Sequence, residues 1–306
     1  MMAGMALKAV LRSLVVGTLL LGTAAWAAGK ESKVAAAQSS IQIERHFQGR
    51  ELALARAAAA GEAGEVRELV QKRGADPNAV STQGLALIAW PLLQNSVAGV
   101  EALLDNGADP NRELAGVGPA IVLAAKSVDP ALLRAFIDHG GKVDAMSVNR
   151  EPLIVVAQMA GRWPNVQLLV ERGADIDASA HGDAKDSVLG FYSAGQFDKA
   201  EWLLQHGADP SARIEKAAKP ERVGAQPIVE NIYWWPVDAM RFPVLAQAQR
   251  RCQDLLARKL KLYAPAEPAH LAKLRQSQQS SQRDGDVGPL DASIGDAEAR
   301  IRKQLQ

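Results

Sequence analysis

Apolar residues along this chain fall in short paired runs. Leu87 to Leu93 is followed by Val97 to Leu104, Ala120 to Ala125 by Ala131 to Ile137, and Leu153 to Ala160 by Val166 to Val170. Runs of this length with apolar positions at helical spacing predict short helices, two to a unit. Gly61, Gly161 and Gly195 fall between partners, where a tight turn is wanted. Asp129-Pro130 opens a second helix with Asp at the N-cap and Pro at the first helical position. Trp163-Pro164 does the same with a poorer cap. Past each second run a glycine returns: Gly74, Gly107, Gly140, Gly173 and Gly207 stand 33, 33, 33 and 34 residues apart. A left-handed residue just beyond a helix end costs a non-glycine about 1–2 kcal/mol, which is the reason for glycine at that place. A fixed period of this size predicts stacked supersecondary units in place of one globular core.

The glycine sits in a repeated phrase: Arg73-Gly74-Ala75-Asp76-Pro77-Asn78, Asn106-Gly107-Ala108-Asp109-Pro110-Asn111, Arg172-Gly173-Ala174-Asp175-Ile176-Asp177 and His206-Gly207-Ala208-Asp209-Pro210-Ser211, with a degenerate copy at Gly140-Gly141-Lys142-Val143-Asp144. Asp and Asn in such a phrase hydrogen-bond nearby backbone in the turn. Period and phrase together resemble the ankyrin repeat. The resemblance implies an all-α solenoid of paired antiparallel helices with projecting loops: about five repeats (48–80, 81–113, 114–146, 147–179 and 180–213) and a degenerate C-terminal cap over 226–263. The first helix of an ankyrin unit usually opens Thr-Pro-Leu-His. Here the matching positions read Ala86-Leu87-Ile88-Ala89, Pro119-Ala120-Ile121-Val122, Pro152-Leu153-Ile154-Val155 and Asp186-Ser187-Val188-Leu189. The hydrogen-bonding threonine and histidine are replaced by apolar side chains, so packing leans on buried Val, Ile and Leu.

The ends differ from the middle. Lys8 and Arg12, the apolar run Leu14 to Leu21 and Ala25-Trp26-Ala27 read as an export signal over 1–27, cleaved near Ala27. The alternative is an uncleaved anchor, although Ser13, Gly17, Gly22 and Thr23 dilute the apolar stretch. Residues 28–47 read as a linker. Residues 264–306 read as a polar, partly disordered tail, with Gln276 to Gln282 all Gln and Ser and a short helix over Asp296 to Gln304. The expected location is the bacterial periplasm, with secretion as the alternative, and no stable membrane anchor after cleavage.

Composition narrows the function. Thirty-five basic against 34 acidic residues leave no electrostatic footprint for nucleic acid. The single cysteine, Cys252, forms no internal disulfide and reads as a buried apolar residue. No nucleophile elbow, metalloprotease pair, phosphate loop or paired cysteines are present, so the expectation is no enzyme, no cofactor and no metal. His139 and His206 stand at helix ends, where a donor faces the dipole. His181 reads as a surface turn, and Asp284-Gly285-Asp286 lacks the remaining ligands of a calcium loop.

What remains is surface. Trp90, Leu123 and Val156 hold one position in successive first helices, and Leu93, Gln94, Lys126 and Met159 lie one turn further along. In ankyrin stacks such positions tend to face the concave groove. Packing between units and an apolar binding stripe are both open for Trp90. With Arg150 in a loop and Trp235 in the cap, these residues form the expected partner-binding set. The reading is a monomeric, non-enzymatic protein-binding module, most specifically an inhibitor or immunity protein against a periplasm-delivered toxic effector such as a secretion-system lipase. The alternative is an envelope stress-related scaffold that supports a periplasmic enzyme.

Overall fold

The computed structural model describes residues 42–180, 182–214, 222–283 and 289–304. The export signal, the linker up to residue 41, His181, the charged loop from Glu215 to Glu221 and the Asp284 to Gly288 bridge lie outside the described residues. The chain divides into two compact bodies, one ending at Asp175 and one beginning at Ile176.

The N-terminal body is built of helix pairs. α1 (Gly49–Ala60) and α2 (Ala63–Gln71) form the first, α3 (Ala89–Leu93) and α4 (Val97–Asp105) the second, α5 (Ile121–Lys126) and α6 (Pro130–Asp138) the third, α7 (Leu153–Met159) and α8 (Trp163–Glu171) the fourth. Their apolar faces meet in one core, in which Leu54, Leu69, Leu103, Ile121, Leu133 and Phe136 are fully buried. Such side chains contribute about 1.5–3 kcal/mol each. Pro130 opens α6 as expected, with the Asp129 carboxylate accepting from Ala131 N at 2.9 Å. Between pairs the chain projects as short hairpins. β1 (Glu113–Leu114) lies antiparallel to β2 (Gly118–Pro119), and the bridges Val80–Ala86 and Met146–Pro152 repeat it.

The periodic glycines stand where the helices stop. Gly107 has φ 92°, Gly140 86° and Gly173 84°, all left-handed. The phrase after each glycine ties repeat to repeat. Asn78 Nδ2 donates to Gly107 O at 2.8 Å, while Asn78 Oδ1 accepts from Asp109 N at 2.7 Å. One repeat later Asn111 does the same to Gly140 O and Lys142 N at 3.0 and 2.9 Å. Further ties between repeats start from the second helices: Ser96 Oγ donates to Ala58 O at 2.9 Å, and Asn165 Nδ2 to Ala125 O at 2.9 Å and Ser127 O at 3.0 Å.

The C-terminal body begins with a fifth pair, α9 (Val188–Tyr192) and α10 (Phe197–Gln205), preceded by the bridge Ser179–Ser187. The cap follows as α11 (Pro227–Trp234) and α12 (Pro243–Leu255), and α12 runs on through a π-turn over Leu256–Leu260. Period, glycine turns, hairpins and helix pairs are those of the ankyrin-repeat fold.

The tail departs from expectation. Past Pro265 the chain forms α13 (Ala269–Arg283) and α14 (Pro289–Gln304), so the polar stretch from Gln276 is helical and the terminal helix starts well before Asp296. The physical reason lies in a few residues. Ile294, Ala297 and Ile301 recur at helical spacing and are buried, as is Leu271. The polar groups between them find partners: Glu298 accepts from Leu245 N at 2.6 Å at the start of α12, Gln278 Nε2 donates to Asp291 at 2.7 Å, and Arg300 holds Asp198 through two bonds of 2.9 Å.

Candidate protein-binding face

The expected stripe is interrupted. Leu93, Leu123 and Val156 are only 6%, 9% and 1% exposed, so they belong to the core of the N-terminal body. Short first helices pack against their neighbours with most of their circumference, which draws these positions inward. Trp90, Lys126 and Met159 are half-buried, and Gln94 is exposed. The accessible set is therefore one aromatic ring, one ammonium, one thioether and one amide, carried by α3, α5 and α7 and the residue after α3.

Lys126 is the polar group of interest. It is the last residue of α5. Burial pulls its ammonium down to about 8, against the opposing pull of the Glu151 carboxylate. Glu151 itself accepts from Ser147 Oγ at 2.9 Å. The carbonyls around Lys126 are held by the next repeat, where Arg162 Nε donates to Lys126 O at 2.9 Å beside the two Asn165 bonds.

The other two predicted site residues stand elsewhere. Arg150 is exposed in a hairpin turn with φ 62°, its N–H donating to Ser147 O at 2.8 Å. Trp235 belongs to the C-terminal body and is half-buried, with its indole against Gly195 and its Nε1 lacking a hydrogen-bond acceptor. Its neighbour Trp234 donates to Pro265 O at 2.9 Å.

Sequence reasoning missed exposed apolar residues on the hairpins. Val80, Met146 and Val148 are 44%, 52% and 52% exposed. The signal was apolar residues in a segment that otherwise takes polar ones. An open cleft of about 460 Å³ lies between the first two hairpins, lined by Val80, Gly84, Asp109, Arg112 and Glu113 among others.

Two histidines and the cysteine stand in local packing contacts. His139 has both ring nitrogens against oxygens, Nδ1 on Ala135 O at 2.7 Å and Nε2 on Asp105 at 2.9 Å. The Asp105 hydrogen bond raises its pKa, against a smaller effect of burial. His206 sits on Trp202 O at 2.7 Å with its ring stacked on the indole. Burial pushes the Cys252 thiol far up and out of nucleophile range, with Sγ on Phe197 O at 3.4 Å. Among the described residues no group of three or more His, Cys, Asp or Glu is placed to hold a metal ion, and no helix is long and apolar enough to cross a membrane.

No family model matches the chain. Over 119 residues it is 33% identical to a B-cell lymphoma 3 protein homolog of Mus musculus, an alignment that covers 38% of this chain and 27% of that protein's length. Among solved structures it is similar to the ankyrin repeat domain of Bcl-3, described as a unique member of the IkappaB protein family. The TM-score is 0.49 at 23% identity, over 65% of this chain and 85% of that one.

Proposed function

We propose that the chain is a non-enzymatic protein-binding protein of the bacterial periplasm that neutralises a toxic effector delivered there, such as a secretion-system lipase. The observation that carries the binding reading is the accessible set on the first helices, where Trp90, Lys126 and Met159 are half-buried and Gln94 is exposed. Accessible tryptophan and methionine are residue types enriched at the centres of interfaces. The export signal read over 1–27 supports the location, and the absence of recognisable catalytic motifs supports inhibition by binding over chemistry.

The test is co-expression with an effector encoded beside this chain, targeted to the periplasm. The wild type restores growth, and the double variant Trp90→Ala with Met159→Lys does not, although its melt stays cooperative. A wild type that gives no protection overturns the immunity reading. A mature N-terminus at Ala28 in the periplasmic fraction checks the location; an uncleaved Met1 in the membrane fraction refutes it.

A further inference from the structure

The three hairpins of the N-terminal body do not meet in the same way. Between the second and the third, Val148 N donates to Val117 O at 2.8 Å. That closure needs Gly118, where a Cβ would stand 3.0 Å from Met146 O and 3.1 Å from Val148 N. One period earlier the matching residues are Ala115 for Val148, Gly84 for Val117 and Leu85 for Gly118. Leu85 carries a side chain where Gly118 carries none, and Ala115 N and Gly84 O form no hydrogen bond among the described residues. Both residues instead line the cleft of about 460 Å³ between the first two hairpins. A donor and an acceptor that the next junction spends on each other are here unused. An extended residue presents its N–H and C=O to the same side, so one residue of an extended segment answers both groups. The other walls add side-chain chemistry. Val80 is 44% exposed, Asp109 and Glu113 are exposed carboxylates, and Arg112 is half-buried. None of these three charged groups stands in an ion pair among the described residues.

We propose that the gap between the first two hairpins receives an extended segment of the protein partner, paired through its backbone with Ala115 N and Gly84 O and carrying a basic side chain to Asp109 and Glu113. The inference rests on the protein-binding reading and adds where the partner enters and what chemistry it brings. An added strand takes its affinity from main-chain bonds and its specificity from side chains at alternate positions. Val80 selects an apolar residue, and two carboxylates against one guanidinium select a base. The next gap offers no such entry, because Val148 N and Val117 O already hold each other.

The experiment pans the full chain against displayed random short peptides at about pH 7, with Ala115→Trp and Glu113→Lys in parallel. Both positions are exposed, so both variants are expected to melt as the wild type does. Peptides selected by the wild type share Lys or Arg at one position. The Ala115→Trp chain, its cleft filled, does not enrich them, and Glu113→Lys enriches peptides without the basic position. A synthetic peptide of the wild-type consensus is then methylated at one backbone nitrogen at a time. Methylation at the pairing residue weakens binding about tenfold, and methylation at either neighbour leaves it within about twofold. A consensus that persists against Ala115→Trp, lacks the basic position or tolerates every methyl group overturns this proposal and leaves protein binding standing. No enrichment by a chain that melts cooperatively overturns both.

Discussion

The two bodies hold their helices by different means. In the N-terminal body the ties between repeats are largely neutral and recur at the period: Asn78 and Asn111 clamp the next glycine turn at equivalent atoms, and Ser96 and Asn165 reach the end of the first helix one repeat back. Its inter-repeat ion pairs, His139–Asp105 and Arg172–Asp138, lie at partly exposed helix ends. In the C-terminal body neutral ties such as Asn231 to Ser193 Oγ and Gln249 to Ile232 O are joined by ionic ones that do not recur at the period. Arg300 holds Asp198, Arg251 holds Glu201, and Glu298 caps α12. A repeated junction must be one that each copy of the phrase rebuilds, which favours side chains aimed at backbone groups that every repeat supplies. A terminal surface is closed once and takes whatever complementary charges fit.

The largest effect expected lies in the repeated part, at a place outside the glycine beat. Gly99, inside α4, lies so close to α1 that a Cβ would stand 1.6 Å from Ala58 O, a backbone atom. Gly99→Ala is expected to cost about 3 kcal/mol in chemical denaturation, the upper range for overpacking. Gly107→Ala meets nothing within 4 Å and carries only the left-handed penalty of about 1–2 kcal/mol. Equal costs would show that contact between helices is not what limits the junction.

Next comes the ionic end. Asp291 is 3% exposed and serves both Arg241 and Gln278. Asp291→Ala is expected to cost about 1.5–3 kcal/mol, and to remove hydrogen-exchange protection over Pro289–Gln304 with α3 to α6 unchanged. Equal loss in both bodies would break the contrast drawn between them. Asn111→Ala removes one neutral clamp at about 0.5–1.5 kcal/mol, and a thermal melt insensitive to it would show the clamps to be ornaments of the turn.

The smallest effect is a pH dependence at the outer helix ends. His139 gains a partner on folding, so its pKa is raised above the ordinary 6.5. Its contribution is complete below that ordinary value and is lost as the pH rises through the folded one. The melting gap between wild type and His139→Gln is therefore expected at pH 5.5 and closed by pH 8.5. A gap that widens with pH would reverse the assignment.

The repeat was legible because it is written in residues with few alternatives. A left-handed turn leaves a glycine, and an Asx turn leaves Asp or Asn, as at Asp76 and Asp109, which accept from Asn78 N and Asn111 N at 2.8 Å each. The tail was not legible because composition averages over it: three apolar residues on one face of α14 suffice for docking when Asp291 is met by Arg241 and Glu298 by Leu245 N, both some fifty residues back in sequence. The stripe was half legible. Its period placed Trp90, Leu123 and Val156 correctly in register, but period says nothing of how deep each position lies, and two of the three are core. Gly99 escaped for a related reason: its demand comes from a neighbouring helix, where no local pattern records it.

The asparagine clamps also give the molecule a direction. Asn78 is satisfied only by Gly107 and Asp109, 29 and 31 residues downstream, and Asn111 waits as long for Gly140 and Lys142. In the C-terminal body Asp177 accepts from Asp209 N at 2.8 Å, but a carboxylate has no N–H with which to complete the second bond. A chain emerging from its N-terminus therefore locks each loop one repeat behind the growing end, like a zip with one tooth per repeat, and its last full tooth closes at Lys142.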